Sequence, residues 1–329
     1  MSTSINSSTQ EKQILTTIKN SSLLQKSINN NLIRSPFFYV GDKYRILSQI
    51  LPYFPKQIKT YVEPFVGGGS VFLNINAQKF VLNDIDKNMI KLHNYLCACS
   101  SCSEIFFEQI TSRILDLGLS HSFMEDIVPS KLRVEYPKTY YAKFNKESYK
   151  QLRDDYNKNK DNMLDLYLLL IYGFNRILRF NSKGDFNLPV GNVDFNKNVV
   201  NALEAYFKNI SSKTVHFFNY DYKEFVNLLT YKENDFIYLD PPYLITFSEY
   251  NKLWNEDKET ELLKLLDELT KNKIKWAISN LVADYNKGTH NVIFDNWMQK
   301  YNVHEINSYY ISFNNNKVRP TREVLVTNY

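Results

Sequence analysis

Tyr61-Val62-Glu63-Pro64-Phe65-Val66-Gly67-Gly68-Gly69-Ser70, followed by Phe80-Val81-Leu82-Asn83-Asp84 and a helical pattern from about Asp86, is the stretch that decides the fold. A short apolar strand over Tyr61–Phe65 runs into three consecutive glycines. A second strand, Phe80–Leu82, ends in an acid. Strand, glycine turn, strand and acid in that order open a doubly wound, Rossmann-like α/β sheet. Consecutive glycines let the backbone approach a ligand and reach positive φ, although a purely structural loop also uses them. The spacing is neither GxGxxG nor a phosphate loop with Lys-Ser/Thr. A bulky cationic cofactor tail fits better, with Glu63 available to meet an ammonium group.

Working outward, Thr214–Phe218, Phe236–Leu239 and Lys275–Ser279 read as further buried strands, with helices between them. Ile306–Phe313 and Glu323–Tyr329 read as a hairpin around a polar turn. From Cys97 to about Ile210 the alternation gives way to helical segments, with one amphipathic helix expected over Asn88–Ile110. The expected organisation is therefore a discontinuous catalytic domain, 33–96 and 210–329, with a second domain, 97–209, inserted in its middle. Residues 1–32, rich in Ser, Thr, Asn and Gln, read as a disordered or loosely docked leader with a short helical pattern at Gln13–Ile18.

Among the 329 residues, 43% are hydrophobic and 15% aromatic, enough for a large core. No apolar run reaches the roughly 20 residues of a membrane span, and no signal-peptide pattern opens the chain, so a cytoplasmic protein is expected. The net charge of +5 is unevenly placed: residues 131–183 carry 12 Lys or Arg against 6 Asp or Glu. A basic, aromatic-rich segment suits a polyanion, and a solvated helix face explains it as well. Cys97, Cys99 and Cys102 follow His93 closely, but no second half of a metal site accompanies them, so packing is the expected role and no metal is expected.

Asp84, at the tip of the second strand, suits the two hydroxyls of a ribose. Its alternative role is a helix N-cap, for which Asp86 is better placed. The strongest signal is Asp240-Pro241-Pro242-Tyr243, directly after the apolar run Phe236–Leu239. Two prolines fix an extended backbone and remove two amide donors. What remains is a carboxylate, a carbonyl and an aromatic face. Asp240 and the Pro241 carbonyl can accept the two hydrogens of an exocyclic amino group while Tyr243 stacks on its ring.

On these motifs, residues 35–329 resemble the Dam-type, alpha-group family of DNA adenine-N6 methyltransferases. The resemblance implies the S-adenosylmethionine-dependent methyltransferase fold with an inserted, mostly helical target-recognition domain. It implies S-adenosylmethionine as cofactor, S-adenosylhomocysteine as product, and double-stranded DNA as partner. Phe38-Tyr39-Val40-Gly41-Asp42-Lys43 is similar to the family's N-terminal cofactor motif, which assigns Tyr39, Gly41 and Lys43 to the methionine moiety. Glu63, Phe65, Gly67, Gly68, Gly69, Asp84 and Asp240 join them, and Asp221 with Tyr222 falls at the cofactor's adenine. Arg179–Gly191 resembles the DNA-recognition hairpin, and Arg322–Tyr329 resembles family C-termini. Two departures stand out: Asp42 where many members have glycine, and Phe38 where many have a lysine.

The implied chemistry extrudes an adenine from the duplex and transfers a methyl group directly to its N6. Asp240, Pro241, Pro242 and Tyr243 form the catalytic set, and no metal takes part. Arg176, Arg179, Phe180, Asn181, Ser182, Lys183, Asn187 and Pro189 are the DNA-facing candidates. Phe180 reads as a wedge or as a core aromatic, and Arg176 and Arg179 suit phosphates. GATC is the leading target by resemblance. A separately acting restriction endonuclease is a possible companion, a monomer or weak dimer is expected, and the source reads as bacterial or phage-borne. The rivals are an amino methyltransferase acting on cytosine N4, RNA or a protein glutamine, and a silent DNA-binding protein on this scaffold.

Overall fold

Short, nearly continuous apolar runs, each bounded by a polar turn, pair here as parallel strands, the central ones buried on both faces. The computed structural model describes residues 32–246, 254–307, 310–312, 315–319 and 321–329. The leader up to residue 31, including the pattern at Gln13–Ile18, lies outside the described residues. The strands are β1 (Thr60–Glu63), β2 (Lys79–Asn83), β3 (Val215–Phe218), β4 (Phe236–Leu239), β5 (Lys275–Asp284), β6 (Thr289–His290), β7 (Asn302–Ile306), β8 (Tyr310–Ser312), β9 (Asn315–Arg319) and β10 (Thr321–Thr327). The main helices are α1 (Lys87–Cys99), α2 (Ser103–Leu117), α3 (Lys146–Lys158), α4 (Met163–Tyr172), α5 (Lys197–Ile210), α6 (Tyr222–Leu228), α7 (Glu256–Lys271) and α8 (Val292–Met298).

The large sheet has the order β3-β2-β1-β4-β5-β10-β7, with β6 paired to β5. The first five strands are parallel, and β10 runs antiparallel between β5 and β7. The chain moves outward from β1 through β2 to β3 and returns to the other side of β1 as β4. The strand order therefore reverses at β1 and β4, where doubly wound sheets hold their ligands.

Side chains alternate between two cores, as period two requires. Tyr61, Phe80, Phe236 and Tyr238 face α1, α2, α4 and α5. Val62, Val81, Ile237 and Leu239 face α6, α7 and α8. The helices between Ser103 and Ile210 thus share one apolar core with a face of the sheet. Helix α4 is buried along Asp165–Tyr172. Its Asp165 takes a two-pronged pair from Arg113 on α2, at 2.9 and 3.0 Å, and Arg113 also reaches Asp155 on α3 at 3.0 Å. One guanidinium therefore ties three helices together.

Three details differ from the sequence expectation. The helix expected over Asn88–Ile110 is two, α1 and α2, separated by a 3-10 turn at Ser100–Cys102. The apolar pattern continues through the break, so periodicity alone misses it. Strand β5 continues past Ser279 to Asp284, because β10 pairs with it over that length. The partner of β10 on its other edge is Asn302–Ile306 rather than Ile306–Phe313, with Glu323 opposite Ile306 and Thr327 opposite Asn302. Part of 306–313 lies outside the described residues, and Tyr310–Ser312 pairs with β9 in a separate ribbon. Strand β7 lies at the sheet edge and is largely polar, which hides it from a hydrophobic reading.

Cys97, Cys99 and Cys102 are free thiols around the α1–α2 break. Among the described residues no group of three His, Cys, Asp or Glu is arranged to hold a metal ion. Among them also, no helix is long and apolar enough to cross a membrane.

Candidate active site

The glycine turn leaves β1 and is held from several sides. Its backbone needs glycine at Gly67 (φ 46°) and at Gly69 (φ 75°). Gly68 needs it for a different reason: a Cβ there would lie 2.7 Å from the Cβ of Tyr39. Tyr39 therefore sits directly on the glycines, although 28 residues separate it from Gly67. Ser35 donates its hydroxyl to the Gly68 carbonyl. His93 on α1 reaches the Gly67 carbonyl through Nε2 at 2.8 Å. Burial lowers the His93 pKa to about 4, so the ring is neutral and Nε2–H is the donor. Phe37 and Phe217 pack on this imidazole at 4.6 and 4.7 Å between ring centres.

The adjacent strand tip is tied to the same turn. Asp84 accepts the Gly67 amide at 2.8 Å and the Asp86 amide at 2.9 Å, one on each oxygen. Asp86 is the cap of α1, accepting from Asn88 and Met89. Asp84 is thus not the cap, and its carboxyl keeps capacity for a further donor. Burial raises its pKa to about 6, against the pull of the Asp86 and Gly67 amides. Asn83, fully buried, joins the two tips to the third: its amide reaches the Pro64 and Tyr220 carbonyls, both at 3.0 Å, and Tyr220 donates back at 2.9 Å.

Asp240 follows β4 directly. Lys43 Nζ meets its Oδ2 at 2.8 Å, and the same ammonium lies 4.9 Å from the centre of the Tyr243 ring. The Tyr243 hydroxyl donates to Glu323 Oε1 of β10 at 3.0 Å. Burial works to lower the Lys43 pKa, but Asp240 and Glu323 outweigh it and hold the amine above its usual range. Burial pushes the Asp240 carboxyl up, and Lys43 opposes the push. The other oxygen, Oδ1, is buried and has no hydrogen-bond partner among the described residues. An acceptor left in that state calls for a donor from a ligand. Glu63, also buried, accepts the Tyr61 hydroxyl at 3.0 Å; burial holds its pKa well above the carboxylate range, and Asp240 and Asp84 add to the rise.

Asp221 caps α6, accepting the Lys223 amide at 2.9 Å through Oδ1. Tyr222 beside it is buried; its hydroxyl is engaged by Glu261 Oε2 at 3.1 Å, and its ring meets Phe65 at 5.1 Å and Trp254 at 5.7 Å. Ile85, next to Asp84, is 66% exposed and Tyr220 is 40% exposed, leaving apolar surface at neighbouring strand tips.

Comparison with known sequences places these residues in context. Residues 39–310 match the family of D12 class N6 adenine-specific DNA methyltransferases. The chain belongs to this family. It is 34% identical over 313 residues to the Type II methyltransferase M.FokI of Planomicrobium okeanokoites, covering 92% of this chain and 44% of the relative. The modification methylase StsI of Streptococcus sanguinis is 33% identical over 324 residues, 93% of this chain and 45% of the relative. The DNA adenine methylase of Escherichia coli is 26% identical over 251 residues, 74% of this chain and 78% of the relative. The chain therefore spans less than half the length of M.FokI and StsI.

The D12 chain carries its candidate DNA-facing residues on a loop gathered by two short bridges, Gly173–Val190 and Phe180–Phe186. Asn157 on α3 bonds both backbone groups of Phe186, at 2.8 and 3.1 Å. Arg179 lies along Asn187, donating to its side-chain and backbone oxygens at 2.9 and 2.7 Å. Asn181 Oδ1 accepts the Lys183 and Asp185 amides, both at 2.9 Å, and so builds the turn itself. Ser182 and Lys183 stand exposed at its tip. Phe180 is half-buried against Phe186 at 5.4 Å. Pro189 is exposed, and its carbonyl accepts the Phe174 amide at 2.9 Å. The sequence reading passed over Phe174, which is 52% exposed and followed by two residues with positive φ, Asn175 (54°) and Arg176 (51°). It also missed Glu323, His93 and Asn83 as supports of the site. The conformational signal at 174–176 is absent from residue type alone.

Proposed function

We propose that this chain transfers a methyl group from S-adenosylmethionine to the N6 amino group of an adenine extruded from duplex DNA. The observation that carries the reading is Asp240: a half-buried carboxylate with one oxygen paired to Lys43 and the other, itself buried, without a donor among the described residues. The donor set fits the cofactor. Glu63, Asp84 and Asp240 place three buried or half-buried carboxyls around the glycine turn, beside the ammonium of Lys43. Such a surplus suits a ligand bearing an ammonium and a sulfonium. Bound there, the cofactor supplies an electrophilic methyl group.

Gly67, Gly68 and Tyr39 would hold the methionine end with Glu63, Asp84 the ribose, and Ile85, Tyr220 and Asp221 the purine. Asp240 Oδ1 and the Pro241 carbonyl accept the two amino hydrogens of the target adenine. That draws the nitrogen lone pair toward the reacting carbon, while Tyr243, fixed through Glu323, supplies the stacking surface. A carboxyl whose pKa burial raises is also suited to receive the proton that the methylated nitrogen sheds. Phe174, exposed on a backbone constrained by Pro189, is better placed than Phe180 to fill the gap left by the extruded base. Arg179 and Lys183 meet DNA from the same loop, and the relatives named as Type II methyltransferase and modification methylase support a companion restriction enzyme.

The test is to express the chain in a host without adenine methylation and map modified bases in the recovered DNA. N6-methyladenine in one short sequence context supports the reading, GATC being the first to inspect; unmodified DNA contradicts it.

A further inference from the structure

Three of the five non-glycine residues with positive φ among the described residues meet at one place: Phe38 (48°), Asn175 (54°) and Arg176 (51°). Backbone held this way costs about 1–3 kcal/mol per residue and persists where the surroundings enforce it, often at functional sites. Here two guanidiniums lie over one aromatic ring. The Arg176 carbon Cζ lies 4.2 Å from the centre of Phe38, and that of Arg34 lies 4.7 Å from it.

Among the described residues neither guanidinium forms an ion pair with a carboxylate. Asp42, the acid nearest to Arg34 in sequence, feels the Arg34 charge without forming an ion pair with it, and its Oδ1 accepts the Tyr44 amide at 3.2 Å. Arg176 Nε is buried with no hydrogen-bond partner among the described residues. Burial lowers the Arg176 pKa and the nearby Arg34 charge adds to it, against the opposing pull of Tyr167, Asp194 and Asp42. Two cations sharing a ring, one with an unsatisfied buried donor, call for an anion between them. A base edge is neutral and takes one guanidinium in its plane. A phosphodiester carries a full charge and has oxygens for both.

The position is suggestive too. Arg34 begins the segment that reaches Lys43 and its partner Asp240, whereas Arg176 follows the exposed Phe174 by two residues. We propose that Arg34 and Arg176, stacked on Phe38, clamp one phosphodiester of the DNA backbone beside the extruded adenine, a reading that rests on DNA being the substrate. The clamp sets register and carries no sequence information.

The test measures binding of the full chain to a mixed-sequence 20-base-pair duplex between roughly 50 and 200 mM KCl. Wild type is compared with Arg34→Gln, Arg176→Gln and the double variant. Arg176→Gly serves as a second variant, because glycine relieves the φ of 51° while removing the charge. One shared phosphate predicts that the double variant lowers the slope of log K against log salt by about 1 in total. The sequence context of methylated adenines should stay as in wild type. An unchanged slope overturns the clamp, a loss of about 2 means two separate phosphates, and an altered methylation context means that the arginines read bases. Absence of methyl transfer by the wild-type chain removes the DNA reading itself and is seen separately.

Discussion

At position 240 the proposed chemistry requires an acceptor that keeps its place, and the Lys43 ammonium holds it there. Lys43 fixes one oxygen, and the other, without a donor among the described residues, is the one proposed to meet the substrate. Replacing Asp240 by Asn should lower the turnover number by at least about 100-fold, with S-adenosylhomocysteine affinity changed far less; calorimetry and single-turnover kinetics separate the two. Asp84 makes a different prediction. In the proposed role ribose hydroxyls would donate to the ionised carboxylate, so binding would favour the form that predominates above its pKa of about 6. The part of S-adenosylhomocysteine affinity that Asp84 carries should therefore be flat above about pH 7 and fall by up to tenfold per unit below about pH 6. Asp84→Asn should flatten that limb, and an unchanged profile would remove Asp84 from the site. His93, neutral down to about pH 4, does not contribute to it. Asp84 and Asp86 were separable in the sequence because a cap acts over two or three residues. Glu323 was not, since it meets Tyr243 across 80 residues.

Among elements, the glycine turn is the one most tightly specified. Gly68→Ala forces a Cβ to within 2.7 Å of Tyr39 Cβ, so either the turn or the N-terminal segment must move. Cofactor affinity should drop by about tenfold or more, since a buried contact of that closeness costs of order 1–3 kcal/mol; titration with S-adenosylhomocysteine checks it. Arg113 makes the matching prediction for the helices. Arg113→Met leaves Asp165, 2% exposed, without its partner. Unfolding free energy should fall by about 3 kcal/mol, measured by urea denaturation, whereas a loss below about 0.5 would mean solvent reaches the carboxylate. The parallel strands were legible because buried β-runs are short and punctuated by turns. The break at Ser100–Cys102 was not, because nothing in the apolar pattern is interrupted there. Nor could residue type reveal that Asn181 holds its own turn rather than pointing outward.

For the whole molecule, the balance of charge is the useful quantity. The chain is net basic, yet the reversal point of its sheet collects Glu63, Asp84 and Asp240. Acid at the centre suits a cationic cofactor, and the net positive charge of the chain suits a polyanion. The sequence carried this contrast as motif and composition, but the strand order that brings β1, β2 and β4 side by side is a property of the fold. The most direct measurement incubates the wild-type chain with unmethylated plasmid DNA and S-adenosylmethionine labelled in its methyl group, at low salt, and digests the product to nucleosides for mass analysis. The account predicts label in N6-methyldeoxyadenosine, and its loss with Asp240→Asn. Label in N4-methyldeoxycytidine, or none in DNA, would contradict it.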